Sequence, residues 1–301
     1  MRILITGKGG QVAQALVSVQ DPARHELIFL GRPEIDLAYP ASLREPVLHA
    51  QPDLILSVAA HTQVDRCETE EAQAFAINAE SPGVLAKAAA ELDIPIIHIS
   101  TDYVFDGEKR TPYVESDAAA PLNVYGRSKL AGEQAVAAAT ARHAIIRVTW
   151  VYSIFGANFV KAMLNLALTR PEIAIVDDQT ACPTAASDLA AGLFVMAEKL
   201  VAATDPSLYG LFHGAGATAV DRYTFAQSIF AAAARHGHPM PIMKRGKSAD
   251  FPAAALRPAY SAMDNHKLLD VYGIAIPGWE DRLGDVVTAI LATQGQQAEK
   301  R

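Results

Sequence analysis

Short apolar runs alternate with longer alanine-rich stretches through the first half of the chain. Such runs suit buried strands of a parallel sheet, and the stretches between them are long enough for helices. The predicted strands lie at residues 2–6, 26–30, a short segment before Asp36, 54–59, 95–100 and 144–148. The predicted helices include one running through Leu16, then 41–50, 70–92 and one from Tyr125 to Ala139. This alternation predicts an α/β fold of the Rossmann type, with a doubly wound parallel sheet.

The alternation becomes less regular after Trp150. Helices are predicted at residues 158–169, after Thr184, at 223–236 and at 278–291, and strands at 173–176 and 209–214. We expect residues 1–150 to form a dinucleotide-binding Rossmann domain, rejoined by parts of 177–215. Residues 151–293 would then form mainly a smaller C-terminal substrate-binding lobe, and the polar residues 294–301 a flexible tail.

Composition narrows the classes of function. The 301 residues carry a formal net charge of −7 and no long basic run, which argues against a nucleic-acid or anionic-membrane partner. No apolar run reaches the length of about 18 to 20 residues that spans a membrane. Cys67 and Cys182 form no CxxC, and the nine histidines show no metal-ligand spacing. These features predict a cytoplasmic protein with reduced thiols and no metal site.

A glycine-rich turn separates the first strand from the first helix. Gly7, Gly10 and Ala13 fit a Gly-x-x-Gly-x-x-Gly/Ala pattern, which lets backbone N–H groups and a helix N-terminus face a pyrophosphate. The alternative is a plain strand–helix turn. The tip of the second strand has no acidic residue for a ribose 2′-hydroxyl, whereas Arg32 could pair with a 2′-phosphate. This favours NADPH, with NADH possible and a surface arginine as the alternative.

Further candidate cofactor residues follow the next two predicted strands. Asp36 and Leu37 follow the short third strand, and Ala59, Ala60 and Thr62 follow the strand at 54–59. Small residues after the carboxyl end of a strand permit close approach of a ligand. His61 is a less favoured catalytic acid. Asn78 interrupts a predicted helix, where it would bridge backbone or water near the site or be merely tolerated.

Tyr125 and Lys129 are the candidate proton-transfer pair. Their spacing of four residues places both side chains on one helix face, and Thr101 sits just beyond the strand at 95–100. An adjacent ammonium favours phenolate, so the pair predicts a Tyr125 pKa lowered toward neutrality. Trp150 is either a stacking surface or a core residue, and Arg257 is either a phosphate-binding cation or a surface arginine.

Several strings together resemble one family of the extended short-chain dehydrogenase/reductases, the dTDP-4-dehydrorhamnose reductases. They are Gly7-Lys-Gly-Gly-Gln-Val12, Ala59-Ala-His-Thr-Gln-Val-Asp65, Ser100-Thr-Asp-Tyr-Val-Phe-Asp-Gly107, the string from Pro121 to Glu133, and Leu256-Arg-Pro258. The resemblance covers about residues 1 to 290. It implies reduction of the C4 ketone of dTDP-4-dehydro-β-L-rhamnose, a small-molecule substrate, by NAD(P)H.

The resemblance also implies roles for individual residues. Thr101, Tyr125 and Lys129 would form the catalytic set, with Tyr125 and Lys129 also touching the cofactor. Gly7, Gly10, Gln11 and Val12 would lie under the pyrophosphate, with Ala59, Ala60 and Thr62 near the cofactor, and Asp102, Trp150 and Arg257 on the sugar-nucleotide side. Some members form dimers around Mg²⁺ held by glutamates. The aligned positions here are Ala15 and Ser187, so a homodimer stays possible while a role for Mg²⁺ is uncertain.

Two other functions remain open from sequence. One is a different sugar-nucleotide enzyme on the same scaffold, such as an epimerase, a dehydratase or another 4-ketoreductase. The other is a non-catalytic regulatory subunit, since the β-subunit of methionine adenosyltransferase looks similar to this family. An intact Thr101, Tyr125 and Lys129 favours an enzyme.

Overall fold

The computed structural model describes residues 1–202 and 205–298 as an α/β protein with one large parallel sheet. The strands are β1 (Arg2–Thr6), β2 (Glu26–Leu30), β3 (Leu54–Ser57), β4 (Ile96–Thr101), β5 (His143–Val148), β6 (Val151–Tyr152), β7 (Glu172–Val176), β8 (Thr180–Ala181), β9 (Thr184–Ala185), β10 (Gly210–His213), β11 (Val220–Asp221) and β12 (Ile242–Gly246). The helices are α1 (Gln11–Val19), α2 (Arg44–Ala50), α3 (Val64–Cys67), α4 (Glu71–Phe75), α5 (Ser81–Glu91), α6 (Val124–Ala139), α7 (Phe159–Ala167), α8 (Ala186–Ala202), α9 (Arg222–Ala234), α10 (His266–Tyr272) and α11 (Trp279–Ala298).

The central sheet has the strand order β2-β1-β3-β4-β5-β10, and every pair is parallel. Its strands are almost continuously apolar because helices cover both faces, as the burial of β3 and β4 shows. One face packs against α1 and α8, and the other against α2 and α5. The predicted doubly wound fold is confirmed, including the return of the strand at 209–214 to the first sheet as β10 beside β5.

A second apolar core lies outside the sheet, between α7, α9 and α11. Phe225 is at its centre and contacts the rings of Tyr152, Phe159 and Trp279. Short strand pairs, β6 with β9 and β8 with β11, connect this region to the end of β5. The C-terminal part of the chain therefore lies against the carboxyl edge of the sheet, where it can cover a site.

The structure differs from the sequence prediction between β2 and β3. No strand precedes Asp36 in the described part of this segment, because its backbone groups bond locally in turns: Ile35 N–H to the Gly31 carbonyl and Tyr39 N–H to the Asp36 carbonyl, 3.0 and 2.9 Å. The sheet accordingly ends at β2. The strand predicted at 54–59 ends at Ser57, which leaves Ala59 and Ala60 in the following loop.

Two helices also differ from expectation. The helix predicted at 70–92 contains a π-helical segment, Ala76–Glu80, between α4 and α5, and this segment carries Asn78. The last helix extends through Ala298, so part of the predicted flexible tail is helical and residues 299–301 lie outside the described residues. Within the described ranges, no helix is long and apolar enough to cross a membrane.

Candidate active site

The turns after β1 and β3 meet at the carboxyl edge of the sheet. Gly7 has a φ of +82°, and a β-carbon there would lie 2.7 Å from that of Ala59. Both the backbone conformation and the close approach require glycine. The Thr6 hydroxyl oxygen accepts hydrogen bonds from the N–H groups of Val58 and Ala59, at 3.1 and 3.2 Å. These contacts fix the two tips against each other and leave an opening above them.

The N-terminus of α1 faces this opening. Gly10 is its N-cap and makes no side-chain cap, and a β-carbon at Gly9 or Gly10 would meet nothing within 4 Å. The first-turn N–H groups thus lack a side-chain partner, which is the arrangement that binds a phosphate. Gln11 instead directs its side chain to the 151–158 segment, where its oxygen accepts bonds from Ser153 and Asn158 at 2.9 and 3.0 Å. Val12 packs against the sheet core.

A cavity of about 420 Å³ extends from the glycine turn past the tip of β2. It brings together seven of the predicted cofactor residues, namely Gly7, Arg32, Asp36, Leu37, Ala59, Ala60 and Thr62. The other five are not among its lining residues: Gly10 is the N-cap of α1, Gln11 and Val12 lie on α1, and Tyr125 and Lys129 lie on α6. The structure therefore brings seven of the predicted cofactor residues to one cavity, where Arg32 is exposed.

Two further side chains organise the loop after β3. His61 Nε2 lies 3.0 Å from a Glu70 oxygen and its Nδ1 3.5 Å from the Cys67 sulfur, so the ring is engaged inside the cavity wall. Asn78 accepts from the His61 N–H at 2.8 Å and donates to the His61 carbonyl at 3.2 Å and to the Ser128 hydroxyl at 3.0 Å. The π-helical segment thereby joins the cofactor loop to α6, the bridging role predicted as one alternative for Asn78.

Helix α6 is anchored so that Tyr125 faces the end of β4. Asn123 caps it by accepting from the Gly126 N–H at 2.8 Å. A β-carbon at Gly126 would lie 2.1 Å from the Tyr103 carbonyl oxygen, so this glycine permits the close approach of the helix to the β4 exit. Tyr125 is 9% exposed, and the Tyr103 ring meets it edge-on at 5.5 Å between centroids.

The lowered pKa predicted for Tyr125 is wrong for this structure. Burial raises the pKa of Tyr125 above its ordinary value, and a side-chain hydrogen bond with Thr101 opposes this only in part. The Lys129 ammonium does not offset the burial, because its N–H groups are directed at the Ile99 carbonyl and at His98 Nε2, 2.6 and 3.3 Å away. Tyr125 is therefore a neutral phenol at pH 7, the form that donates a proton.

Lys129 is 2% exposed, and burial lowers its pKa to about 8, against the raising effect of Glu133. Glu133 follows one turn later on α6 and is bound by Arg147 through two hydrogen bonds of 2.8 and 2.7 Å. The ammonium is thus held by the backbone of β4, and the Glu133 carboxylate that acts on its pKa is already paired with Arg147.

Asp102 lies beneath the candidate catalytic threonine. It is 1% exposed and accepts hydrogen bonds from the hydroxyls of Thr101, Thr149 and Ser261, at 3.0, 2.8 and 2.5 Å. Burial raises its pKa, while these three bonds lower it. The described contacts make Asp102 a positioning residue that joins the ends of β4 and β5 to the 261 loop. Its predicted contact with the substrate stays a prediction.

The predicted sugar-nucleotide residues lie on the C-terminal side of Tyr125. Trp150 has a φ of +40°, a strained conformation for a bulky residue, and the Arg222 guanidinium lies 4.1 Å from its ring centroid. Arg257 pairs with Asp65 at 2.6 Å, and this pairing lowers the pKa of Asp65. The Tyr103 side chain lies near both arginines and acts on the pKa of each. Tyr103 and Arg222 are not among the site residues predicted from the sequence, because only the fold brings together two residues that are 119 positions apart.

The positions aligned with metal-binding glutamates lie on α1 and α8. Ala15 is buried, and Ser187 is exposed in the first turn of α8. The described residues contain no group of three or more His, Cys, Asp or Glu side chains that could hold a metal ion. Neither aligned side chain is a carboxylate, so these positions do not fit the metal.

Comparisons with known proteins agree on one family. The family model described as "RmlD substrate binding domain" matches residues 1–292. A dTDP-4-dehydrorhamnose reductase from Sinorhizobium fredii is 42% identical over 97% of this chain and 98% of its own. The crystal structure of such a reductase from Clostridium acetobutylicum is 33% identical, with a TM-score of 0.89 over 97% of this chain and 100% of that one. Another, from Bacillus anthracis in complex with NADP, is 31% identical, with a TM-score of 0.87 over 95% and 98%.

Proposed function

The chain belongs to the dTDP-4-dehydrorhamnose reductase family, and on that basis we propose that it reduces the C4 ketone of dTDP-4-dehydro-β-L-rhamnose to dTDP-L-rhamnose. The observation that carries the proposal is the position of one phenol. Tyr125 lies at the carboxyl edge of the sheet, against Thr101 and one helical turn from a buried Lys129. Open α/β sheets bind their ligands at this edge.

Each of the three side chains has a task in this reaction. Tyr125 donates its proton to the C4 oxygen as negative charge develops there. The Thr101 hydroxyl turns from Asp102 and donates a hydrogen bond to the same oxygen, and Asp102 keeps its bonds from Thr149 and Ser261. Lys129 supplies a fixed positive charge close to the phenol that has lost its proton. Asp102, Trp150 and Arg257 would orient the sugar nucleotide, Arg257 by exchanging Asp65 for a phosphate.

The cofactor proposed for the cavity is NADPH. Gly7 and the free N–H groups of the first turn of α1 would hold its pyrophosphate, and Ala59, Ala60 and Thr62 would line its path. Asp36 and Leu37 would border the adenosine half. When bound, the nicotinamide supplies the hydride. The relative from Bacillus anthracis was crystallised with NADP, which supports the same cofactor here.

Arg32 is proposed to select NADPH over NADH. The Arg32→Ala variant should lose about 10- to 100-fold in kcat/KM with NADPH, the effect of losing a hydrogen bond to a charged group, while kcat/KM with NADH stays unchanged. Steady-state rates with both cofactors measure this directly. Equal losses with both would place Arg32 outside the 2′-phosphate site.

The proposed reaction is tested by its product. The protein is supplied with dTDP-4-keto-6-deoxyglucose, a 3,5-epimerase and NADPH, and the sugar is identified by NMR. We expect dTDP-L-rhamnose and one NADPH oxidised per product molecule. Turnover that needs no added reductant and uses a tightly bound NAD would favour an epimerase or a dehydratase. An absence of NADPH consumption with any dTDP-keto-sugar, together with co-purification of a large catalytic partner, would favour a regulatory subunit.

The two parts of the chain would bind different ligands. We place the cofactor on residues 1–150 together with β10, and the sugar nucleotide mainly on residues 151–293. A homodimer stays a prediction, without a metal at Ala15 and Ser187.

A further inference from the structure

His98 is a buried polar residue in the middle of β4, and the proposed reaction does not yet use it. The ring is fully buried, with Nε2 3.3 Å from the Lys129 amine and Nδ1 3.1 Å from the Ser57 hydroxyl oxygen. Burying a polar side chain in a central strand costs free energy unless its polar atoms are hydrogen-bonded. Both of its ring nitrogens have a partner, so the ring lies within a defined chain of contacts from β3 to α6.

The direction of these hydrogen bonds follows from the partners. A lysine ammonium is only a donor, so Nε2 must accept, and the ring proton sits on Nδ1, where it donates to Ser57. A doubly protonated ring would face the ammonium with a second N–H group. Burial and the charge of Lys129 both keep the pKa of His98 well below its ordinary value. The ring is therefore neutral at pH 7, with Nε2 as the acceptor for Lys129.

We propose that His98 is a positioning residue for the reduction: together with the Ile99 carbonyl, its Nε2 holds the Lys129 ammonium at the Tyr125 side of the site. The inference rests on the proposed function, because it gives Lys129 a task in that reaction. The titratable groups that act on the amine or contact it are Glu133 on α6, which Arg147 of β5 neutralises, and the neutral His98 ring on β4. Of the two acceptors seen for Lys129 in the described residues, His98 is the one that a side-chain substitution can remove.

Three variants separate this role from packing. In His98→Gln the carboxamide reaches the position of Nε2 and faces Lys129. In His98→Asn the shorter carboxamide takes the position of Nδ1 and faces only Ser57. His98→Leu has no polar group at either position. We expect His98→Gln to stay within a few-fold of the unmodified protein. His98→Asn and His98→Leu should lose about 10- to 100-fold in kcat, the effect of one hydrogen bond to a charged group.

The pH profile provides the readout that packing would not change. In the unmodified protein, activity should fall as pH rises through about 8, where Lys129 loses its proton. Without an acceptor at Nε2 the buried ammonium is less stable, so this limb should move down by about one pH unit in His98→Asn and His98→Leu and stay in place in His98→Gln. Thermal melting shows whether each variant is folded. If His98→Leu does not fold, the comparison of His98→Asn with His98→Gln still tests the positioning role.

The possible failures are distinguishable. If the unmodified protein forms no dTDP-L-rhamnose, the proposed function fails, and the pH dependence of NADPH binding by the Asn and Gln variants still tests whether His98 controls Lys129. If the unmodified protein is active but His98→Asn has the rate and profile of His98→Gln, the positioning role is overturned. Equal losses in all three variants with an unmoved alkaline limb would likewise reduce His98 to a packing residue.

Discussion

The Tyr125→Phe variant should lose about 10²- to 10⁴-fold in turnover and retain its affinity for NADPH. The phenol is the proton donor in the proposed reaction, and loss of a general acid has this range of effect. The ring itself stays in place, packed near Tyr103. Single-turnover rates at saturating NADPH, and NADPH binding by fluorescence, separate the chemical loss from a binding loss.

Tyr152→Phe provides the matched control. Tyr152 is also buried, 1% exposed against 9% for Tyr125, and its hydroxyl has no hydrogen-bond partner in the described structure. Removing that hydroxyl should leave turnover unchanged. A Tyr125→Phe variant with near-normal turnover, or one that loses activity only as much as Tyr152→Phe does, would refute the role of Tyr125 as acid.

The Arg147→Met variant should show the largest loss of stability, about 3–5 kcal/mol in the free energy of unfolding. Arg147 and Glu133 are 4% and 7% exposed and are joined by two hydrogen bonds, and the Ser100 hydroxyl also donates to Glu133 at 2.5 Å. Removing the guanidinium leaves a buried carboxylate without a cation, which costs far more than the intact pair contributes. Thermal and urea melting of the two proteins measure the difference.

Arg142→Met is the more exposed counterpart. Arg142 is half-buried, pairs with the 88% exposed Asp93 and also donates to the Asp93 carbonyl, so loss of this solvent-screened pair should cost about 0–1 kcal/mol. The double variant Arg147→Met/Glu133→Leu should recover much of the lost stability, because neither partner of this buried pair is then left without its counter-charge. Equal destabilisation by Arg147→Met and Arg142→Met would show that burial of the first pair does not matter.

The features that can be predicted from the sequence are those determined by residues close together in the chain. Strands β1 and β2 begin and end at the predicted residues, and the glycine turn lies between β1 and α1 as predicted. The helix with Tyr125 and Lys129 begins at Val124, after an asparagine cap. Local apolar patterning, glycine conformation and i to i+4 spacing suffice for these features.

Other features depend on residues far apart in the chain. The upward shift of the Tyr125 pKa results from burial by the assembled fold. The positioning role of Asp102 depends on its hydrogen bonds from Thr149 and Ser261, which are 47 and 159 positions away. His98 alternates with apolar residues in β4 and gives no sign of its contact with Lys129 until α6 is packed on the sheet. The segment before Asp36 forms backbone hydrogen bonds within local turns and does not join the sheet.

Following the hydride from cofactor to sugar tests the proposed reaction most directly. The protein is given the 3,5-epimerised keto-sugar and NADPH that carries deuterium at both C4 positions of the nicotinamide, and the product is analysed by NMR and mass spectrometry. We predict dTDP-L-rhamnose with one deuterium, bonded to C4 of the sugar. A product without deuterium at C4, or one formed while the NADPH remains unoxidised, would contradict the account.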